Sequence, residues 1–215
     1  AVMAKTGVMG GTFDPIHNGH LAVAGEVMSQ LCLERIFFIP AGRPPLKEGG
    51  PVASAEERVN MVSLAIAEEP RYKLSRVEID RPGLSYTVDT INGLKNLLRD
   101  EIYLVMGWDN LAELHRWKEP GRLAEISQIV AVPRPGCDRP ELGSMETLIP
   151  SLRGNVIILE SPRVNISASD IRKRISEGST IEHLVPAKVA DYIRRSGLYR
   201  SILGYEYSYG RGGDR

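Results

Sequence analysis

Cysteine is scarce in this chain. There are two in 215 residues, Cys32 and Cys137. Two such distant cysteines exclude a disulfide framework and fit free thiols in a reducing compartment. A surplus of either charge is also lacking, because Lys plus Arg number 27 and Asp plus Glu number 27. That balance excludes a bulk positive field for nucleic acid or a membrane surface, so neither is expected as a partner. A polyanionic ligand must therefore be held by a local cluster. No apolar run reaches the roughly 18 residues of a transmembrane helix. The long apolar core of a signal peptide is not seen near residue 1. The expectation is a cytoplasmic protein.

What is there is ordinary in bulk and specific in detail. Hydrophobic content of 42% and charged content of 25% suit a soluble globular chain, and the length suffices for one sizeable core. Short apolar runs read as buried strands: Gly7-Val8-Met9, Ile36 to Pro40, Tyr72 to Ser75 more weakly, Ile102 to Gly107, Ile129 to Pro133 and Val156 to Leu159. Helices are expected between them. One opens at the capping box Ser54-Ala55-Glu56-Glu57, one spans Thr87 to Leu98, and one opens at Ser167-Ala168-Ser169-Asp170. Short helical pieces are expected over Asp109 to Glu125, broken at Pro120-Gly121, and one short helix in Pro140 to Arg153. The last helix reads from Pro186 to Ser196, with Gly197 at its end. Strands alternating with helices predict a single α/β domain over residues 1–203, Rossmann-like, with a mostly parallel sheet covered on both faces. The Gly-, Tyr- and Arg-rich residues 204–215 read as a frayed terminus. Ligands of such sheets bind beyond the carboxyl ends of the strands, at the switch point.

The stretch Gly10-Gly11-Thr12-Phe13-Asp14-Pro15-Ile16-His17-Asn18-Gly19-His20-Leu21 falls at such a place, between the first strand and the first helix. Free amides at a strand-to-helix turn, together with the helix dipole, favour an anion. Gly10 and Gly11 let the backbone approach a phosphate. Asn18 is the expected N-cap. His17 and His20 share one face of the helix start and can stabilise charge in a transition state. The glycines alone read as a plain turn and the histidines alone as half of a metal site, but no further ligands stand at metal-site spacing. A second anion cradle is Ile166-Ser167-Ala168-Ser169-Asp170-Ile171-Arg172, a capped helix start with an arginine able to grip phosphate bidentately. The free amides of Ser85-Tyr86-Thr87-Val88-Asp89-Thr90 can receive a carboxylate.

These motifs, in this order, resemble the nucleotidyltransferase superfamily with its His-x-Gly-His motif after the first strand and Ile-Ser-x-[Ser/Thr]-x-x-Arg motif near the C-terminus. The form around His17 and His20 is similar to the bacterial nicotinate-nucleotide adenylyltransferases, which join ATP and nicotinate mononucleotide to give deamido-NAD and pyrophosphate. The resemblance covers roughly residues 5–200. It implies that His17, His20, Arg172 and Lys47 carry catalysis by direct displacement, with Mg²⁺ arriving on ATP and no metal bound by the protein alone. It implies ATP contacts at Gly10, Gly11, Thr12, Phe13, Gly107, Asp109, Ser167 and Ser169. It implies nicotinate nucleotide contacts at Tyr86, Thr87, Trp117 and Arg134. Trp117 reads equally as a half-buried packing residue. Leu46, in Pro44-Pro45-Leu46-Lys47, replaces a family histidine, and Trp108 replaces a small residue in Gly-x-Asp. The alternatives are a nicotinamide mononucleotide or phosphopantetheine adenylyltransferase, or a nucleotide sensor without turnover. The oligomeric state is left open.

Overall fold

A computed structural model describes residues 3–43 and 51–200. Six strands of the described residues form one sheet: β1 (Lys5–Gly11), β2 (Arg35–Pro40), β3 (Tyr72–Leu74), β4 (Glu101–Gly107), β5 (Gln128–Val132) and β6 (Val156–Ile158). All pairings are parallel and the spatial order is β3-β2-β1-β4-β5-β6. The order reverses between β1 and β4. That is the switch point, and it opens a crevice at the carboxyl ends of these two strands.

Among the described residues eight α-helices cover the sheet: α1 (Asn18–Leu31), α2 (Ala55–Ile66), α3 (Thr87–Leu98), α4 (Trp108–Ala112), α5 (Pro120–Ile126), α6 (Leu142–Leu148), α7 (Ala168–Ser176) and α8 (Ala187–Ser196). The strands explain the two layers by simple alternation. Met9, Tyr103, Val105, Val130 and Val132 face one core with Val27 of α1, Met61 of α2, Ile171 of α7 and Ile193 of α8. Val8, Leu104, Met106, Ile129 and Ala131 face the other with Ile91 of α3, Leu111 of α4 and Leu123 of α5. A sheet buried on both faces needs apolar side chains in both registers, and these runs supply them.

Local chemistry sets several boundaries differently from the sequence expectation. Gly10 and Gly11 end β1 instead of lying past it. His17, not Asn18, is the N-cap of α1, with extended backbone at φ −144°. Asn18 is instead held from outside the helix, its N–H donating to the Leu184 carbonyl at 2.8 Å. Pro120 starts α5 where a break was expected, because a proline at N1 has no N–H to lose. Residues 140–153 hold a 3₁₀ turn (Pro150–Leu152) besides α6. The Ser54 capping box forms as expected: Glu57 N–H donates to the serine hydroxyl at 3.2 Å, and Ser54 N–H donates to the Glu57 carboxylate at 2.7 Å.

Candidate active site

The His pair sits where β1 ends and α1 begins. The two rings stack, with centroids 3.7 Å apart and planes at 26°. His17 N–H donates to His20 Nδ1 at 3.1 Å, so the neutral His20 ring carries its proton on Nε2. His17 is buried, and its Nδ1 has no hydrogen-bond partner among the described residues. Burial, followed by the charge of Arg134, pulls the His17 pKa down to about 4. Burial, then His17 and Arg134, hold His20 well below the usual imidazole range. Both rings are thus neutral near pH 7 and act as N–H donors. The stack also explains Gly19: a Cβ there would lie 2.9 Å from His17 Nδ1. Gly10 is different, because a Cβ on it would meet nothing nearer than the Ile39 carbonyl at 4.0 Å. The room beside Gly10 is open to a ligand.

Arg134, past the end of β5, faces this pair and joins Asp109. Its Nε lies 3.2 Å from Asp109 Oδ2, while Asp109 Oδ1 is buried and unpartnered among the described residues. Arg134 thereby stands with Asp109 and the histidines, although the sequence set it with the nicotinate nucleotide contacts. Trp108 does not fill this crevice: its side chain belongs to the second core and is 4% exposed. A cleft of about 400 Å³ opens beside it, lined also by Asp109, Asn110, Glu113, Cys137 and Asp138. A smaller one of about 200 Å³ lies among Trp108, Arg134, Arg163 and Asn165.

The second cradle reaches the first across 158 residues of sequence. Arg172 Nη1 donates to the Asp14 carbonyl at 2.7 Å. Ser167 caps α7, accepting from Asp170 N–H at 3.1 Å, and its hydroxyl pairs with that of Ser169 at 3.0 Å. The third motif forms the start of α3. Tyr86 is its N-cap and Thr87 its first residue. First-turn N–H groups of a helix have no intrahelical acceptor, so they point outward as donors. Lys118 bonds Asp89 at 3.0 Å and lies 4.6 Å from the centre of the Tyr86 ring, which brings the Trp117-Lys118 segment over this helix start. Trp117 is half-buried against the second core. Leu46 and Lys47 lie outside the described residues. Among the described residues no group of three or more His, Cys, Asp and Glu side chains is placed to hold a metal ion.

Three residues at the site went unread in the sequence. The Asp14 carboxylate is a buried hub, accepting from Val52 N–H, Ala53 N–H and the Tyr199 hydroxyl. Arg58 is 2% exposed and donates to the Thr12 carbonyl at 2.8 Å. The available signal for Arg58 was a charge one turn before Val62 on the apolar stripe of α2. Tyr199 carries no local signal at all.

This arrangement is that of a nucleotide-binding α/β enzyme, and the comparisons agree. Residues 8–174 match the family model described as cytidylyltransferase-like, and the chain belongs to that nucleotidyltransferase class. A probable nicotinate-nucleotide adenylyltransferase of Dehalococcoides mccartyi is 44% identical over 200 residues, covering 92% of this chain and 98% of its own. One of Thermus thermophilus is 44% identical over 91% of this chain and 100% of its own. Within the class, the chain is thus a member of the nicotinate-nucleotide adenylyltransferase family. In fold it is similar to the solved Plasmodium falciparum nicotinic acid mononucleotide adenylyltransferase complexed with NaAD. The TM-score is 0.75 at 19% identity, over 91% of this chain and 97% of that one.

Proposed function

We propose that the protein transfers the adenylyl group of ATP to nicotinate mononucleotide, giving deamido-NAD and pyrophosphate. A phosphate oxygen of the mononucleotide attacks the α-phosphorus, a new P–O bond forms, and the bond from that phosphorus to the bridging oxygen of the β-phosphate breaks. No protein nucleophile takes part; positioning and charge stabilisation carry the rate. Mg²⁺ enters on ATP and neutralises charge on the leaving pyrophosphate.

Each residue has a defined task in this reading. His17 and His20 donate N–H groups to the reacting phosphate, and the incoming negative charge offsets Arg134. Backbone at Gly10, Gly11, Thr12 and Phe13 lines the polyphosphate. Ser167, Ser169, Arg172 and Lys47 neutralise its charge. Asp109, in the first turn of α4 just past β4, accepts ribose hydroxyls through the oxygen that Arg134 leaves unpaired. Tyr86 and Thr87 offer amide donors to the nicotinate carboxylate, and Trp117 stacks on the pyridine ring. The reaction is placed in the cytoplasm, which suits the free thiols of Cys32 and Cys137.

The observation that carries the reading is the Arg172 to Asp14 bond, which sets two anion-binding helix starts around one crevice. The test is to incubate the purified chain with ATP, Mg²⁺ and nicotinate mononucleotide and identify products by mass. Deamido-NAD and pyrophosphate in equal amounts are expected. Binding of ATP without product would favour a nucleotide sensor instead.

A further inference from the structure

Three segments meet on Asp14, which is 3% exposed. Its carboxylate accepts from Val52 N–H at 2.7 Å, from Ala53 N–H at 3.1 Å and from the Tyr199 hydroxyl at 2.7 Å. Its own carbonyl accepts from Arg172, whose Nη1 also lies 3.9 Å from Asp14 Oδ2. The loop it closes is not relaxed: Phe13 takes φ 50°, a left-handed conformation that a phenylalanine adopts only when its surroundings impose it. We propose that Asp14 and Tyr199 are positioning residues for adenylyl transfer: the Tyr199–Asp14 hydrogen bond fixes the carbonyl on which Arg172 rests, and so aims its guanidinium at the nucleotide phosphates. This rests on the reading of Arg172 as a phosphate ligand.

A guanidinium is planar and its donors leave in fixed directions. Once Nη1 is committed to the Asp14 carbonyl, the direction of the remaining donors follows from where that carbonyl lies. The carbonyl moves only if Asp14 turns, and three donors on the carboxylate resist that. All three partners donate, so a carboxylate satisfies them and a carboxamide does not. Tyr199 stands past the C-terminal end of α8, beyond Gly197, and its hydroxyl is held protonated by burial and by Asp14. Its one hydrogen bond toward the crevice among the described residues is the one to Asp14. The end of the described chain is thereby part of the phosphate site's scaffold.

The test is a double-mutant cycle with Tyr199→Phe, Arg172→Lys and the pair, all in the full chain. Tyr199→Phe should lower kcat/KM for ATP by about tenfold, the usual scale of a lost hydrogen bond to a charged acceptor. The KM for nicotinate mononucleotide should stay within about twofold. In the Arg172→Lys background, Tyr199→Phe should add less than about twofold, because the residue it aims is gone. Asp14→Asn should behave as Tyr199→Phe with a larger loss; if it does not fold, the tyrosine cycle stands alone. An unchanged kcat/KM for ATP in Tyr199→Phe, or the same loss in both backgrounds, overturns the proposal. If the wild type yields no product, the functional reading fails, and the same cycle is then read in ATP affinity by calorimetry, with coupling again expected and additivity overturning the proposal.

Discussion

At the start of α1 two neutral imidazoles lie face to face beside an arginine, and single substitutions there should lower activity more than stability. His20→Ala removes a donor, and with it the acceptor of the His17 N–H and an edge contact to Phe13. Turnover should fall by about 10²–10³-fold, the scale of one lost transition-state contact, while the melting temperature falls by only a few degrees. Gly19→Ala should show the converse of a structural lesion. Alanine favours the helix by up to about 1 kcal/mol, yet its Cβ must displace His17. Activity should therefore drop by more than any change in stability explains, and comparing kcat with the urea midpoint separates the two. Normal turnover of folded Gly19→Ala would mean that His17 placement does not matter. The signature residues were legible because each glycine and histidine has a local geometric reason. Asp14 and Arg58 were not, because their partners lie on distant segments.

Among the elements, the amino ends of α3 and α7 are the two proposed anion sites, and each has its own test. Arg172→Lys keeps the charge but replaces the planar fork, so a clear loss in kcat/KM for ATP is expected. An unchanged value would reduce α7 to an ordinary capped helix. At α3, Trp117→Ala should weaken nicotinate and nicotinamide mononucleotides alike, because stacking reads the ring and not its substituent. The helices and strands themselves were largely legible. Apolar runs marked the strands plainly except β3, an edge strand with Lys73 exposed that gave only a weak signal. Helix edges were less so. Asn18 looked like the better cap by residue type, but its N–H is claimed by Leu184, a partner far along the chain.

For the whole molecule, burying the His pair neutral has a consequence for acid stability. The free imidazole titrates at 6.5 and His17 in the fold at about 4, so the unfolded chain binds more protons between these values. Stability therefore falls as pH drops through that window, by about 1.4 kcal/mol per unit and roughly 3 kcal/mol in all. Glu78, pushed up by burial, acts in the opposite sense. Comparing urea midpoints of the wild type and His17→Asn between pH 7.5 and 5 isolates the histidine; equal slopes would contradict its burial as a neutral ring. Residues 204–215 lie outside the described residues. Their deletion should leave the melting temperature and activity nearly intact, because nothing in their sequence reads as a strand or an amphipathic helix.

The central claim is that the start of α3 reads a carboxylate. Nicotinate and nicotinamide mononucleotides differ in one substituent, an acceptor-only carboxylate or an amide with its own donors. Against backbone N–H groups, the amide NH₂ leaves a donor unpaired. That costs about 1–3 kcal/mol per contact, so two contacts give on the order of hundredfold discrimination. The direct measurement is kcat/KM for the two mononucleotides side by side, with ATP saturating. A preference for nicotinate of about a hundredfold or more is the predicted result. Equal values, or a preference for nicotinamide, would contradict it and leave Tyr86-Thr87 as a helix cap and nothing more.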